Sequence, residues 1–426
     1  MADMLFVRPD GQWFDFSPLA LAGMAGNRLA RPTKADLLPL PEGATLTMMP
    51  GAAPYGVDKE SGEFLLLEEN PYKKKSENIY ALAALLPQGF TRLLLPAAAL
   101  AKTPLPLLGY TAVGVEKGKL MVAAQATDEH ERWRPKYYNT HNLPQLIEQR
   151  LQEQPQNSIL LQLAYCAREY GCFTAQNIFY RRFEGGIPVS PACNADCLGC
   201  ISLQSAECCP SPQRRISASP TAKEIAEVAI PHLERAEAAI ISFGQGCEGE
   251  PTLEYQTLAR AIRLIRGKTQ RGLININTNA GNPQAIAALL EAGLDSLRVS
   301  LFSPIEEEYT AYHRPRGFGL AEVKQSLLLA GQAGRPAALN LLTYPGFTDD
   351  ERRLRALIEL VTKTGIAQIQ LRNLNIDPAV MQPFCAKSWG IGLRNFISRL
   401  HAELPGLSIA SYSRPKNEGF SQKNAE

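Results

Sequence analysis

Three cysteines near the middle of the chain are the residues best suited to chemistry. Cys193, Cys197 and Cys200 have the spacing Cys-x3-Cys-x2-Cys, just after Pro191. Thiolates are soft ligands that favour iron–sulfur clusters and zinc. If three cysteines hold a four-iron cluster, one iron has no protein ligand and a substrate can coordinate it. Three ligands therefore indicate catalysis, whereas four indicate electron transfer or a structural role.

Zinc is the alternative occupant of this segment, with Cys208 or Cys209 as the fourth ligand. Zinc sites more often pair two Cys-x2-Cys elements, so the spacing favours a cluster while leaving zinc open. Cys247 is expected to pack rather than to ligate. Cys166 and Cys172, like Cys208 and Cys209, follow no established ligand spacing, and the sequence therefore predicts a single cluster.

A repeated pattern surrounds and follows the three cysteines. A short apolar run, a loop and an amphipathic helix recur six times, which predicts parallel strand–helix–strand units. Such units form an open doubly wound sheet or part of a barrel, and in both the chemistry lies at the carboxyl ends of the strands. The predicted strands are Ile187–Ser190, Ala238–Phe243, Leu273–Asn277, Ser296–Leu301, Ala337–Leu342 and Ala367–Leu371.

Capping signals support the predicted helices. Thr221 and Glu224 have capping-box spacing. Asn282 before Pro283 predicts an N-cap with proline at the first helical position. Other signals predict that one helix opens at Asp349 and ends at Gly365, and that another starts near Thr252 and ends at Gly267.

The chain divides into four segments by its pattern of apolar and turn-forming residues. We predict a β-rich N-terminal domain at 1–140, a helical connector at 141–184, the strand–helix core at 185–404 and a loose polar tail at 405–426. The predicted N-terminal strands are Thr45–Met49, Phe64–Glu68, Arg92–Leu95, Ala112–Val115 and Leu120–Ala124.

Bulk composition excludes few functions. The chain has 426 residues, 45% hydrophobic and 20% charged, with a formal net charge of +2. Balanced charge gives no global attraction to nucleic acid or anionic membrane, although a local patch can still bind. The most apolar stretch, 93–110, is broken by prolines and is too short to span a bilayer. With no secretory signal at the start, a cytoplasmic protein without membrane partners is expected.

The cysteine spacing and the segment from Gly244 to Pro251 together resemble the radical S-adenosylmethionine superfamily, from Ile187 to about Leu400. The resemblance implies a partial (β/α)6 barrel and a [4Fe-4S] cluster whose open iron is chelated by S-adenosylmethionine. An electron from the reduced cluster then breaks the S–C5′ bond, and the 5′-deoxyadenosyl radical abstracts hydrogen from the substrate. An electron donor such as flavodoxin or ferredoxin is implied as a partner.

The resemblance also implies roles for residues at successive strand ends. In the Gly-Gly-Glu-Pro-like segment Glu248 replaces the first glycine, and the Gly249 backbone and Glu250 are expected to hold the methionine ammonium group. The other residues implied to contact S-adenosylmethionine are Thr278, Asn279, Ser300 and either Arg314 or Arg316.

One residue departs from the family pattern. Gly199 stands before the third cysteine, where the family usually has an aromatic residue that packs near adenine. His313 is expected to be a structural donor. Candidate substrate contacts are Tyr344, Arg372 and Asn375. The substrate is unidentified, and modification of a peptide, a protein or RNA stays open, with RNA less favoured by the charge. The competing function is a non-enzymatic zinc- or iron–sulfur-binding module.

Overall fold

The computed structural model describes residues 1–128, 131–204, 211–386 and 390–414. The N-terminal part is built of short strands, as the sequence predicts. Its strands are β1 Asp3–Val7, β2 Trp13–Leu21, β3 Gly23–Ala25, β4 Arg28–Ala30, β5 Leu37–Pro39, β6 Thr45–Met49, β7 Tyr55–Asp58, β8 Phe64–Leu66, β9 Tyr80–Leu85, β10 Phe90–Arg92, β11 Leu95–Pro96, β12 Tyr110–Glu116 and β13 Lys119–Ala126.

These strands pair antiparallel. The larger sheet runs in the order β10-β13-β12-β9-β1-β2-β7-β8, with β5 on β13 and β6 on β9, and a small sheet has the order β11-β3-β4. Leu5, Val7, Leu82, Val113 and Val122 form one of its buried clusters. Alternating apolar residues thus build a core for this part of the chain.

Three helices connect the N-terminal strands to the second part of the molecule. They are α1 Leu143–Glu153, α2 Ser158–Glu169 and α3 Phe173–Tyr180. Ile147, Leu160, Leu163 and Ile178 bury their side chains in the large core of the following domain. Helical spacing of apolar residues predicted this stretch correctly.

The second part alternates strands and helices. Within the described ranges, no helix is long and apolar enough to cross a membrane. The elements are β14 Arg182–Gly186, α4 Ala222–Arg235, β15 Glu237–Phe243, α5 Tyr255–Arg266, β16 Leu273–Thr278, α6 Pro283–Ala292, β17 Ser296–Leu301, α7 Glu306–His313, α8 Leu320–Gln332, β18 Ala337–Thr343, α9 Glu351–Thr364, β19 Gln368–Asn373, α10 Pro378–Cys385, α11 Leu393–Glu403 and β20 Ser408–Ala410.

Strands β14 to β20 form one parallel sheet in sequence order. The sheet is curled, as a contact across three strands shows: Arg298 on β17 donates a 3.0 Å hydrogen bond to Glu184 on β14. Its outer face is apolar and packs on the helices, with Ile241, Ile276, Leu339 and others in the core. The arrangement is a curled half-barrel of the predicted class.

Two strands lie elsewhere than predicted. The first strand is β14, before Ile187–Ser190, which are buried without forming a strand. Glu184-Gly185-Gly186 has no apolar run, so the hydrophobic pattern misplaced this strand. The short strand β20 extends the sheet beside β19 and was not predicted. It lies in the segment predicted to be a tail, and the division into four segments remains a prediction.

The predicted helix caps are largely as expected. Thr221 and Glu224 form a reciprocal capping box on α4. Asn282 caps α6 with its side chain. Helix α9 ends at Gly365 as predicted, but its N-cap is Asp350, one residue after the predicted Asp349. Asp349 instead accepts hydrogen bonds from the backbone of Gly346 and Gly392.

Residues 411–414 close the base of the half-barrel. Ser413 donates a 2.7 Å hydrogen bond to Glu184 and also contacts Arg298. Tyr412 stacks on Trp133 at 5.3 Å between ring centroids. The prediction of a loose tail after Ser411 is therefore wrong for residues 412–414, because Ser413 hydrogen-bonds to Glu184, Tyr412 packs in an aromatic cluster and Arg414 pairs with Asp128. Residues 415–426 lie outside the described ranges.

The N-terminal domain docks on the carboxyl ends of β18 and β19 through a fully buried arginine. Arg92 donates from Nη2 to the carbonyl oxygens of Leu374, at 2.7 Å, and Thr343, at 3.4 Å. Its backbone N–H donates to Asn373 Oδ1 at 2.9 Å, and its Nε has no hydrogen-bond partner among the described residues. Burial lowers the pKa of Arg92 to about 10. The two parts of the chain therefore share a buried polar joint.

Candidate functional site

The cysteine loop follows β14 at the carboxyl edge of the parallel sheet. It is fixed to the end of β15 by two backbone hydrogen bonds: Gly249 N–H donates to Ser190 O at 2.7 Å, and Glu250 N–H donates to Ala192 O at 2.8 Å. A Cβ atom on Gly249 would lie 1.9 Å from Ala192 O. Glycine at this position thus permits the two backbones to touch.

Helix α7 holds the other side of the loop. Asp196 N–H donates to His313 O, and Leu198 N–H donates to Tyr312 O, both at 3.1 Å. Arg316 adds a side-chain hydrogen bond from Nη2 to Cys193 O at 2.6 Å. Segments more than a hundred residues apart in sequence therefore fix the backbone that carries the three thiols.

A histidine donates to the middle cysteine. His313 Nδ1 lies 3.2 Å from Cys197 Sγ, and Phe302 N–H donates to His313 Nε2 at 3.2 Å. Burial lowers the pKa of His313 to about 3, so the ring is neutral at pH 7. Because Nε2 accepts a hydrogen bond, the ring proton is on Nδ1 and points at the sulfur. His313 is thus a structural donor, as expected.

The third cysteine also has donors. Arg215 Nη2 lies 3.7 Å from Cys200 Sγ, and the Ser202 hydroxyl lies 3.5 Å from the same sulfur. Arg215 also donates to Ser202 Oγ at 2.9 Å, which fixes its position. Burial raises the thiol pKa of Cys193 and of Cys197. A positively charged metal centre would oppose that effect and favour the thiolates.

The donor set fits an iron–sulfur cluster. Cys193, Cys197 and Cys200 are free and half-buried. N–H groups aimed at ligand sulfurs are a recognised means of tuning such clusters. In the part of the chain that the structure describes, no three His, Cys, Asp or Glu side chains gather closely enough to hold a single metal ion. Cys208 and Cys209, the alternative fourth zinc ligands, lie outside the described residues.

Glu250 joins two strand ends. Its Oε1 accepts from Thr252 N–H at 3.0 Å, from the Thr252 hydroxyl at 2.6 Å and from the Thr278 hydroxyl at 2.5 Å. Its Oε2 accepts from Asn279 N–H at 2.8 Å. The structure therefore brings together three residues that the sequence placed at one site. Burial raises the pKa of Glu250, and these donors oppose that rise.

Glu248, which replaces the first glycine of the family segment, is a second buried brace. Its carboxylate accepts four backbone N–H groups, from Val189, Ser190, Gly244 and Gln245, at 2.7 to 3.1 Å. Burial raises its pKa to about 7, against the effect of these donors. Glu248 thus ties the start of the cysteine loop to the end of β15.

The structure separates the two candidate arginines. Arg316 contacts the cysteine loop through Cys193 O, and its own N–H donates to Asn194 O at 2.8 Å. Arg314 is exposed and ends α7 with a φ of 46°. Asn279 Nδ2 donates to Asn194 Oδ1 at 2.7 Å, which connects the end of β16 to the same loop. Ser300, half-buried on β17, pairs in register with Asn340 on β18.

The space at Gly199 is filled by other residues. A Cβ atom there would lie 2.6 Å from the Tyr312 hydroxyl and 3.0 Å from Asn375 O. Tyr312 is buried and stacks on Phe302, with ring centroids 4.1 Å apart. The family usually carries an aromatic side chain on this loop. Here the Tyr312 side chain from α7 fills the space beside Gly199.

The three candidate substrate contacts have different surroundings. Tyr344 is buried under the guanidinium of Arg92, 5.3 Å from the ring centroid. The Asn375 side chain faces Gly109 of the N-terminal domain. Arg372 is half-buried on the inner face of β19 and donates to Asn340 and Gln370. Of these three side chains, that of Arg372 lies inside the half-barrel.

Three further cysteines line one cavity of about 130 Å³ beside the cysteine loop. Cys166, Cys172 and Cys247 face it, together with Ile201 and Gln213. A hydrogen bond joins the Cys166 and Cys247 thiols, and Cys247 is buried as expected. The prediction of a single cluster remains a prediction.

Sequence reasoning missed two residues of this site. It gave no signal for Arg215, because one arginine in an irregular segment has no periodicity. Glu248 was noted only as a departure from the family pattern. Its run of backbone donors becomes visible only when β15 and the cysteine loop lie side by side.

Residues 187–358 match the family model described as the Radical SAM superfamily. This part of the chain is a radical SAM domain, and the proteins of that superfamily are enzymes that use a [4Fe-4S] cluster and S-adenosylmethionine. No curated protein sequence matches the chain.

Several solved structures are similar to the chain at low identity. Streptococcus suis SuiB bound to the precursor peptide SuiA is 13% identical over 59% of this chain and 54% of that one, with a TM-score of 0.39. HydG, a maturase of the [FeFe]-hydrogenase, is 15% identical over 64% and 66%, with a TM-score of 0.39. The chain thus covers less than two thirds of either protein. Methylornithine synthase (PylB) is 16% identical over 63% and 74%, again with a TM-score of 0.39.

Proposed function

We propose that this chain is a radical SAM enzyme that cleaves S-adenosylmethionine reductively and abstracts hydrogen from a bound substrate. The observation that carries the proposal is the loop with Cys193, Cys197 and Cys200 inside the matched region, with N–H donors aimed at two of the sulfurs. A reduced cluster held there would supply the one electron that splits the S–C5′ bond of S-adenosylmethionine, giving methionine and a 5′-deoxyadenosyl radical.

The chain's own residues would hold the two cofactors. The three cysteines ligate the cluster, and the N–H groups of His313 and Arg215 lower the electron density on two ligand sulfurs. Favouring the reduced state in this way helps the cluster to accept an electron from a reductant.

Glu250 is suited to bind the ammonium group of S-adenosylmethionine. A carboxylate oxygen has two lone pairs, and only one hydrogen bond reaches Glu250 Oε2, from Asn279 N–H. Among the described residues, one acceptor direction on Oε2 is therefore free for a cation. The Gly249 N–H already donates to Ser190, so we propose that Gly249 contributes by close backbone packing rather than as a donor.

The remaining residues would orient the rest of the molecule. Thr278 and Asn279 fix Glu250 and lie at the end of β16, where the resemblance places contacts to the ribose. Ser300 lies on the inner face two strands from Arg372. Both candidate arginines are exposed, and we favour Arg316 for the carboxylate because its side chain donates to the backbone of the cysteine loop.

A reductant and a substrate complete the reaction. The superfamily needs both, and we propose flavodoxin or ferredoxin as the electron donor. A peptide, a protein or RNA remains the candidate macromolecular substrate, with RNA less favoured by the net charge of +2.

Anaerobic reconstitution with iron and sulfide tests the proposal. The wild type should become brown, bind about four iron atoms by the cluster stoichiometry and produce 5′-deoxyadenosine with dithionite. The variant C193A/C197A/C200A should lose both properties. Cys385→Ala is the matched control, because this buried cysteine packs among apolar side chains and beside Gly26 of the N-terminal strands. A colourless wild type with stoichiometric zinc would refute the enzyme and support the binding module.

A further inference from the structure

The inner face of the parallel sheet is unusually polar. Strands covered on both faces normally read as continuous apolar runs. Here the outward residues are apolar, while the residues between them face inward and are polar, such as Ser242, Asn275, Asn340 and Gln370. Register confirms the layering, with Ser242 beside Asn275 and Asn340 beside Gln370. A polar interior is costly unless its groups are paired or meet a ligand.

The deep half of this interior is fully paired. Asn275 Nδ2 donates to Ser242 Oγ at 3.2 Å, and Ser296 Oγ donates to Asn275 Oδ1 at 2.9 Å. Arg298 and Glu184 form a 3.0 Å ion pair in which both side chains are 7% exposed. These groups are satisfied within the protein, so the base needs no ligand.

Nearer the carboxyl ends of the strands, one half-buried charge has no ion-pair partner among the described residues. Arg298 is compensated by Glu184, and Arg414 by Asp128 at 2.9 Å. Arg372 makes no ion pair within the described residues. Its hydrogen bonds go to neutral amide oxygens, Asn340 Oδ1 at 3.2 Å and Gln370 Oε1 at 2.5 Å. Burial, followed by the nearby charge of Arg298, lowers the pKa of Arg372 to about 10, whereas Glu184, Tyr412 and Asp128, which lie beyond ion-pair distance, act to raise it. It still carries its positive charge at pH 7.

Arg372 is also partly accessible to solvent. It is half-buried, as are Asn340 and Ser300, whereas Gln370 and Arg298 below it are buried. Three residues further along the chain, Asn375 O lies against Gly199 of the cysteine loop. The guanidinium therefore lies inside the half-barrel, on strand β19, and the segment that follows this strand contacts the cysteine loop.

We propose that Arg372, with Asn340 beside it, binds an oxyanion of the substrate, a carboxylate or a phosphate. Guanidinium groups match such anions by bidentate hydrogen bonding. This proposal adds the chemical class of the substrate to the proposed function. It depends on that function only in identifying the bound anion as part of the substrate. An anion at Arg372 would cancel the unpaired charge and hold the rest of the molecule beneath the cluster.

Binding of inorganic phosphate and of succinate to the reconstituted protein tests this subsite. Isothermal titration should show weak binding of at least one probe to the wild type and at least a tenfold loss in Arg372→Gln. Arg372→Lys should retain part of the affinity. Arg335→Gln is the matched control, because this exposed arginine pairs with Asp295, which Arg266 also holds. Equal affinity in wild type and Arg372→Gln would overturn the proposal.

Two further measurements separate other roles of Arg372. The dissociation constant for S-adenosylmethionine should be unchanged in Arg372→Gln; a parallel tenfold loss would assign the arginine to the cofactor and overturn the substrate role. Without probe, Arg372→Met should be as stable as the wild type or more stable, since it removes an uncompensated charge. A large loss of stability would make Arg372 structural. These measurements do not require cleavage of S-adenosylmethionine. Their outcome can therefore be distinguished from a failure of the proposed function.

Discussion

The two ends of the half-barrel differ in how their charges are balanced. At the base, Glu184 is buried with Arg298, Ser242 and Ser413 around it, and its donors match its acceptors. At the rim, the thiols are half-buried, and Arg372 forms no ion pair with a carboxylate in the part of the chain that the structure describes. One sheet thus provides a closed, self-satisfied end that supports the fold and an open end whose unmatched groups suit a ligand. Unmatched polar groups, rather than polar groups as such, mark the functional end.

The base should be the more sensitive end to loss of one charged partner. Glu184→Met leaves the Arg298 charge buried without a counter-ion, and removing one partner of such a pair costs about 3–5 kcal/mol. The double variant Glu184→Met/Arg298→Met should recover much of that loss. Urea unfolding measures both. If the single variant cost no more than Arg372→Met, the contrast between base and rim would fail.

Acid should destabilise the base through His232. This buried histidine on α4 donates from Nε2 to Phe183 O at 2.8 Å, and burial lowers its pKa from 6.5 to about 4. Between those values the unfolded chain binds a proton that the folded chain does not. Stability is therefore present above pH 6.5 and is lost as pH falls toward 4, by about 3 kcal/mol in total.

His232→Gln keeps a neutral donor and removes this titration. Denaturant unfolding at pH 7.5 and 4 should show a smaller decrease in this variant than in the wild type by about that amount. Equal decreases in the two proteins would show that His232 does not titrate in this range.

At the rim, a methyl group at position 199 should strain the cysteine loop. Gly199→Ala places a Cβ atom 2.6 Å from the Tyr312 hydroxyl, and overpacking of this kind costs about 1–3 kcal/mol. Removing that hydroxyl in Gly199→Ala/Tyr312→Phe should restore part of the loss, although Asn375 O remains close. Unfolding free energy and iron content measure the effect. No recovery in the double variant would mean that the tyrosine does not limit the space.

The smallest expected change is at His313. Removing its N–H donor in His313→Phe should make the cluster harder to reduce, so its midpoint potential becomes more negative. A tenfold change in the reduction equilibrium corresponds to about 59 mV for one electron. Tyr309→Phe is the control, since its ring packs on His313 and, among the described residues, its hydroxyl makes no hydrogen bond to a ligand sulfur. Spectroscopic redox titration distinguishes the two, and equal potentials would remove His313 from cluster tuning.

The sequence predicts the parts of this molecule that depend on local chemistry. Thiol spacing indicated the cluster loop, and capping residues such as Thr221 and Asn282 marked helix starts. The strand β14 escaped because Glu184 and two glycines suppress the apolar pattern. Arg215 escaped because one arginine in an irregular segment has no periodicity, and the packing of Tyr312 escaped because Gly199 is far away in sequence. The sequence shows that residue 372 is positively charged, but it does not show that Arg372 lacks an ion-pair partner among the described residues.

The buried joint at Arg92 has a consequence for how the molecule unfolds. Its side chain is held by carbonyl groups of Thr343 and Leu374, which belong to the half-barrel, while Arg92 itself ends a strand of the N-terminal domain. Opening either part alone would leave a charged group or several carbonyls without partners in a dry environment. Neither part is therefore a free-standing unit of stability. Heat or denaturant should release both in one cooperative transition, with calorimetric and spectroscopic midpoints that coincide.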